Sequence, residues 1–100
     1  MKLVQTLFKR KPKEHYDVHI SGRVKNVWFR SKARKIAGDL EVKGFIKYKS
    51  EDQLYVEVEG RESAVKSFLD WCKKGPSLAR VDSFKAQKST LKGFKRFSIL

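Results

Sequence analysis

The spacing of apolar residues changes repeatedly between two periods along this chain, and that alternation limits the folds that it can adopt. Tyr16, Val18 and Ile20 recur at every second residue, which is the spacing of a β-strand with one buried face. Between Phe29 and Leu40 the apolar residues recur every three or four positions, which is the spacing of an amphipathic helix. Both spacings return later in the chain, so we predict one sheet packed against helices.

The predicted elements follow the order strand, helix, strand, strand, helix, strand, with a further short strand over Phe94–Leu100 after them. The turn Glu51–Gln53 is short enough to join the second and third strands as an antiparallel hairpin. Gly60 is expected to end the third strand, and Gly75 to end the second helix. This order predicts an α+β, ferredoxin-like split βαβ sandwich: an antiparallel four- to five-stranded sheet with two helices on one face.

One hundred residues suit a single domain. We predict a basic extension over residues 1–14, interrupted by Pro12, and the folded domain over residues 15–100. The 24 Lys and Arg residues against 11 Asp and Glu give a formal net charge of +13, which attracts phosphates, nucleic acids and other anions. Cys72 is the single cysteine and no apolar run reaches the roughly 18 residues of a membrane span, so we expect a cytoplasmic protein without membrane contact.

The segment from Gly22 to Arg30 joins the first strand to the first helix and has features of an anion site. The N–H groups at a helix N-terminus have no partner within the helix, and the helix dipole favours negative charge there. Arg30 lies in the first turn, where its planar guanidinium can bind two phosphate oxygens. Residues 18–38 contain six Lys or Arg and no acid. A phosphate site is one interpretation, and a solvated basic helix start is the other.

At this segment the sequence also resembles a known family. Gly22-Arg23-Val24, Val27 and Phe29-Arg30 are similar to the phosphate-loop signature of acylphosphatases, and the resemblance runs without gaps from Tyr16 to Leu100. The later matching positions are Ala37, Gly44–Lys47, Val56–Gly60, Phe68, Leu69, Trp71, Gly75, Pro76, Ala79–Val81, Phe97 and Ile99. The resemblance therefore covers all but the basic extension.

The resemblance implies hydrolysis of an acyl phosphate to a carboxylate and inorganic phosphate, with no metal and no organic cofactor. In the family an arginine and the loop N–H groups hold the phosphoryl group, and an asparagine positions the attacking water. Arg30 stands at the arginine position and Tyr48 at the asparagine position, and these two are the implied catalytic residues. The residues implied to bind phosphate are Arg23, Val24, Lys25, Asn26, Val27, Trp28, Phe29 and Arg30.

Three departures from the family pattern qualify this implication. Lys25 and Asn26 stand where the family usually has Gln-Gly, and Asn26 tolerates the left-handed backbone that glycine would adopt. Tyr48 carries one hydroxyl where asparagine has a separate carbonyl and amide, so we expect an enzyme with weakened turnover. Glu51 and Asp52 replace the usual Asp-Gly of the hairpin turn, which concerns geometry more than chemistry.

The alternative is a binding module that has this fold and anion pocket without turnover, and whose basic surface serves nucleic acid or another polyanion. Gly44-Phe45 and Tyr48 echo part of an RNA-recognition motif, but the full aromatic pattern is absent, so that motif is not predicted. If the chain is a hydrolase, its partner is a small acyl phosphate or inorganic phosphate, and the chain is expected to be a monomer.

The remaining candidate residues have ordinary explanations. His15 and His19 lie about 13 Å apart on one strand face, too far for a shared metal, so we expect surface histidines and no metal site. Cys72 falls on the apolar stripe of the second helix and is expected to be buried. Trp28, beside the loop, either contacts the acyl part of a substrate or covers the edge of the sheet.

Overall fold

A computed structural model describes residues 12–100, in which two helices pack on one face of a five-stranded sheet. This is the predicted ferredoxin-like α+β fold. Residues 1–11 of the predicted extension lie outside the described part. No helix within residues 12–100 is long and apolar enough to cross a membrane. The elements are β1 (Lys13–Arg23), α1 (Phe29–Leu40), β2 (Lys43–Ser50), β3 (Gln53–Arg61), α2 (Glu62–Lys74), β4 (Arg80–Ser89) and β5 (Phe97–Ile99).

The strands lie in the order β4-β1-β3-β2-β5. β1 pairs antiparallel with β3 and β4, and β2 pairs antiparallel with β3, as predicted. β5 instead pairs parallel to β2, so the sheet is mixed where an antiparallel one was expected. The path of the chain explains the parallel pairing of β5. β4 ends beside the start of β1, and the connection over residues 90–96 runs along that same end of the sheet. β5 therefore enters the sheet in the direction of β2.

Three strand boundaries differ from the expected ones. β1 begins at Lys13, ahead of the predicted start of the domain at residue 15. Gly60 does not end β3, which continues to Arg61, because the backbone of Gly60 stays paired with β1. The final strand is limited to Phe97–Ile99, since the preceding residues cross the sheet without pairing as a strand.

The core lies between the sheet and the helices and is built from alternate strand residues, as their period-two spacing predicts. Val18, Ile46 and Val56 are fully buried on this side of the three central strands. Phe29 from α1 and Phe68 from α2 are the largest side chains buried against them. Cys72 is fully buried in the same cluster, and this burial raises the pKa of its thiol well above the ordinary value.

The opposite side of the sheet, which we call the open face, carries a polar network that we call the carboxylate cluster: His15, Asp17, Glu57, Glu59 and Lys92. The prediction of a surface histidine was wrong for His15, whose side chain is fully buried. Its Nδ1 lies 2.8 Å from an oxygen of Glu59, and its Nε2 lies 2.9 Å from Asp17 and 3.1 Å from Glu57. Both ring nitrogens therefore lie within hydrogen-bond distance of carboxylate oxygens.

The carboxylate cluster also forms hydrogen bonds with the connection over residues 90–96, which leads to β5. Glu59 accepts hydrogen bonds from the backbone N–H groups of Lys92 and Phe94, both at 2.8 Å. Glu57 accepts from the Lys92 ammonium at 2.7 Å and from the Tyr55 hydroxyl at 2.6 Å. Burial alone would raise the pKa of Glu57 and of Glu59, but these hydrogen bonds outweigh burial and hold both pKa values below the ordinary value.

Candidate active site

β1 ends in a bulge that turns the chain into the loop. The pairing of β1 with β4 shifts between Ser21 and Gly22, where the backbone has φ +139°. A Cβ atom at Gly22 would lie 2.1 Å from the carbonyl oxygen of Arg80, so only glycine fits. The N–H of Gly22 donates to the carbonyl oxygen of Asp52 at 2.9 Å. The start of the loop is thereby tied to the turn between β2 and β3.

The loop keeps its shape because two apolar side chains anchor it in the core. Val24 and Val27 are almost completely buried, and the backbone between and beyond them turns twice through the left-handed region. Asn26 has φ +59° and Trp28 has φ +67°. The left-handed conformation costs a residue with a Cβ about 1–2 kcal/mol, and asparagine adopts it more readily than most. Asn26 therefore has the backbone conformation that the sequence suggested for it.

The loop leads directly into the N-terminus of α1, where hydrogen-bond donors are left over. Trp28 is the capping residue, and no side chain in the described part of the chain caps the helix. The first turn contains no acid, and the Ser31 hydroxyl donates to the carbonyl oxygen of Trp28 at 3.3 Å. The first N–H groups and the positive end of the helix dipole therefore remain available to an anion.

Arg30 and Tyr48 come together beside this helix start. The guanidinium carbon of Arg30 lies 4.2 Å from the centroid of the Tyr48 ring, a cation–π contact. Tyr48 pairs with Leu54 in the β2–β3 ladder, and like Ile46 it faces the helices, as period-two alternation predicts. The Tyr48 hydroxyl accepts a long hydrogen bond of 3.4 Å from the backbone N–H of Asn26. The phenol thus reaches the loop backbone.

These groups border a cavity of about 360 Å³, which is large enough for a small organic phosphate. The wall combines polar residues, among them Arg30 and Tyr48, with apolar side chains. Trp28 lines the cavity and is 67% exposed. The lining residues are Asn26, Trp28, Phe29, Arg30, Ser31, Tyr48 and Ile99.

The other loop residues predicted to bind phosphate occupy different places. The side chains of Val24 and Val27 point into the core, so only their backbone can face a ligand. Arg23 is exposed at the end of β1 and does not line the cavity. Lys25 is exposed as well, and its ammonium lies 3.4 Å from a carboxylate oxygen of Glu51.

Two lining residues were not among the predicted site residues. Ser31 follows Arg30 in the first turn of α1, and its position next to the loop was a signal that could have identified it. Ile99 belongs to β5, and the parallel pairing of β5 with β2 brings it to Ile46, two residues before Tyr48. That pairing was not predicted, so no sequence pattern identified Ile99 as a wall of the cavity.

Comparison with known proteins identifies the family of this chain. The family model described as Acylphosphatase matches residues 16–99. An acylphosphatase of Legionella pneumophila (strain Paris) is 35% identical over 82 residues, which are 82% of this chain and 90% of the relative. The crystal structure of acylphosphatase from Bacillus subtilis superposes with a TM-score of 0.83 at 30% identity, over 87% of this chain and 98% of the other. An acylphosphatase structure from Coxiella burnetii gives a TM-score of 0.86 at 25% identity, over 93% and 98%.

Proposed function

The chain belongs to the acylphosphatase family, and on that premise we propose that it hydrolyses acyl phosphates by holding the phosphoryl group between its loop and Arg30. Water cleaves the carboxyl–phosphate bond, and the products are a carboxylate and inorganic phosphate. One observation carries the assignment of residues. Arg30 and the uncapped N-terminus of α1 border the same cavity, and no acid from residues 12–100 lines it.

Hydrolysis of an acyl phosphate requires the protein mainly to position the phosphoryl group and to stabilise its negative charge. The transferred phosphoryl group carries negative charge on its outer oxygens, and a carboxylate is already a good leaving group. The backbone N–H groups from Asn26 to Arg30 can donate to two or more of these oxygens, as oxyanion donors do. The fixed positive charge of Arg30 supplies the remaining stabilisation, and its guanidinium fork suits two oxygens at once.

Tyr48 has two roles in this proposal. Its ring supports the Arg30 guanidinium through the cation–π contact, which limits the orientations that the arginine adopts. Its hydroxyl, next to the N–H of Asn26, offers the attacking water one hydrogen bond. An asparagine would offer a carbonyl and an amide from a shorter side chain, so Tyr48 orients water less well and turnover is weakened.

The test is hydrolysis of acetyl phosphate by the full chain, together with Arg30→Ala and the matched control Arg34→Ala. Arg34 is exposed on the same helix, one turn further on, and does not line the cavity. Arg30→Ala should lose about 10³-fold in kcat/KM by analogy with the removal of an oxyanion donor, while Arg34→Ala changes it less than about twofold. Equal activity of both variants would refute the role of Arg30.

Phosphate titration separates binding from turnover. Inorganic phosphate should shift the amide NMR signals of residues 24–31 in the wild type and in Arg34→Ala, and shift them far less in Arg30→Ala. A wild type that binds phosphate in this way and hydrolyses no acyl phosphate would support the alternative, an anion-binding module without turnover.

Two further expectations belong to this proposal. We infer that the chain acts as a monomer. We also place it in the cytoplasm, which suits a chain whose single cysteine is buried and unpaired. Light scattering after size-exclusion chromatography and cell fractionation would test the two statements separately.

A further inference from the structure

A continuous row of aromatic rings crosses the open face of the sheet, on the side away from the proposed active site. Neighbouring ring centroids lie between 5.0 and 5.9 Å apart. The rings come from β1, β2, β3 and the connection after β4, so no local sequence motif reveals the row. In order, its members are His15, Phe94, Phe45, Tyr55 and His19.

Exposed lysines border one end of this row. The Lys47 ammonium lies 6.0 Å from the centroid of the Tyr55 ring, and the Lys49 ammonium lies 3.4 Å from Nδ1 of His19. Lys85 stands on β4 directly opposite His19 of β1. Across residues 12–100, no ion pair within 4.0 Å engages Lys47, Lys49 or Lys85.

The same end of the open face forms a shallow polar cavity of about 310 Å³. Within the described part of the chain its polar lining contains no acid and consists of His19, Ser21, Lys49, Gln53, Ser83 and Lys85. Glu59 and Glu57 are paired with His15 and Lys92, and Glu57 also accepts the hydrogen bond of the Tyr55 hydroxyl. Asp17 contacts His15 and borders a neighbouring cavity with His19, Tyr55 and Lys85. Three lysines against this one acid leave the lysine end with a net positive surface beside partly exposed ring faces.

We propose that this end of the open face binds single-stranded nucleic acid, with bases stacked on Tyr55 and Phe45 and phosphates held by Lys47, Lys49 and Lys85. Aromatic rings on a sheet surface next to a basic groove bind single strands with little sequence preference, because every base has a face that can stack. A duplex hides its base faces, so the rings contribute nothing to duplex binding. The proposal uses neither Arg30 nor the loop, and it stands or fails independently of hydrolysis.

The test is fluorescence anisotropy of a labelled, unstructured RNA of about 20 nucleotides, longer than the site of one such domain. Replacing all three lysines in the variant Lys47→Gln/Lys49→Gln/Lys85→Gln should weaken binding at least tenfold at low salt. The association constant K should also depend less on salt. The slope of log K against the logarithm of the salt concentration should become shallower by about 2, which is roughly 0.7 for each phosphate that is no longer neutralised. Tyr55→Leu should weaken binding by about tenfold, and Tyr55→Phe should retain it.

The matched control removes the same three charges from the helix side, as Lys35→Gln/Lys66→Gln/Lys74→Gln. This variant should weaken RNA binding less than about threefold, since its lysines lie on the other face. An equal loss in both triple variants means diffuse attraction by the net charge and overturns the proposal. Unchanged binding by Tyr55→Leu, or equal affinity for a duplex of the same length or for anionic vesicles, overturns it too. Hydrolysis of acetyl phosphate should be the same in all these variants.

Discussion

The loop and the carboxylate cluster are both built from polar groups. At the loop some hydrogen-bond donors have no partner within the described part of the chain, whereas in the carboxylate cluster the donors and acceptors are paired. In the carboxylate cluster the bonds of Glu59 to His15, Lys92 and Phe94 are all 2.8 Å, and the side chains of His15 and Glu59 are buried. At the loop the bond between Asn26 and Tyr48 is 3.4 Å, and the helix start has no side-chain cap from residues 12–100. The difference supports the proposal that the carboxylate cluster stabilises the fold and that the loop binds the ligand.

Among the variants that test this comparison, Glu59→Ala should have the largest effect, which is a loss of stability. Removing the carboxylate leaves the buried ring of His15 and two partly buried backbone N–H groups with fewer acceptors, and each buried donor left without a partner typically costs about 1–3 kcal/mol. We expect the melting temperature to fall by roughly 10–20 °C. The kcat/KM of the folded fraction should change less than about twofold, because the cluster lies on the face opposite the cavity.

Glu51→Ala is the control for that experiment. Glu51 is exposed and its contact with Lys25 is a surface ion pair, so the stability should change by less than about 0.5 kcal/mol. If Glu59→Ala melts like Glu51→Ala, the carboxylate cluster does not hold the fold. If it abolishes activity in molecules that circular dichroism shows to be folded, the two regions are not separable.

Tyr48→Asn tests the loop side of the comparison. We expect kcat for acetyl phosphate to rise at least about tenfold, since an amide orients the attacking water better than the phenol does. KM should rise about threefold, because the ring that supports Arg30 is removed. Tyr48→Phe keeps the ring and removes the hydroxyl, so it should lower kcat without raising KM. No gain in Tyr48→Asn would show that Tyr48 is not the cause of weak turnover.

A smaller effect is expected from Trp28→Ala, measured with two substrates. Trp28 is exposed at the rim of an otherwise largely apolar cavity, where its ring can stack on a flat acyl group. We expect KM for benzoyl phosphate to rise about fivefold, within the range for one aromatic contact, while KM for acetyl phosphate stays unchanged. Equal changes with both substrates would indicate that Trp28 only shapes the loop.

The smallest expected effect concerns the stability of the fold at acidic pH. The pKa values of Glu57 and Glu59 lie below the ordinary 4.5, so folding favours their ionised forms. Their contribution to stability is therefore complete above about pH 4.5 and is lost as the pH falls through the folded-state pKa values. Glu57→Gln should make the free energy of unfolding fall less steeply with acid, as measured by urea unfolding between about pH 3 and pH 7. An unchanged acid slope would contradict this.

The same contrast explains what the sequence could and could not predict. The order of elements and the direction of Tyr48 follow from local periodicity, because neighbouring residues carry each signal. The position of the loop was predicted instead from the start of the helix and from the resemblance to acylphosphatases. The carboxylate cluster joins His15 of β1 to Glu59 of β3 and to Lys92, which come together only through the register of the sheet. The parallel pairing of β5 likewise depends on the path over residues 90–96, and no short pattern encodes such a path. Long-range register is thus the information that the sequence pattern lacked.

The edges of the sheet have a consequence for how the chain behaves at high concentration. β4, with ten residues, is a long edge strand, and unpaired edge strands can join copies of a protein into aggregates. Its exposed positions include Lys85, whose side chain would meet basic residues of a second copy aligned along the same edge. β5 at the other edge has only three residues, too few to act as a template. We therefore expect the folded chain to resist edge-to-edge aggregation, because β4 is protected by its positive charge and β5 by its short length.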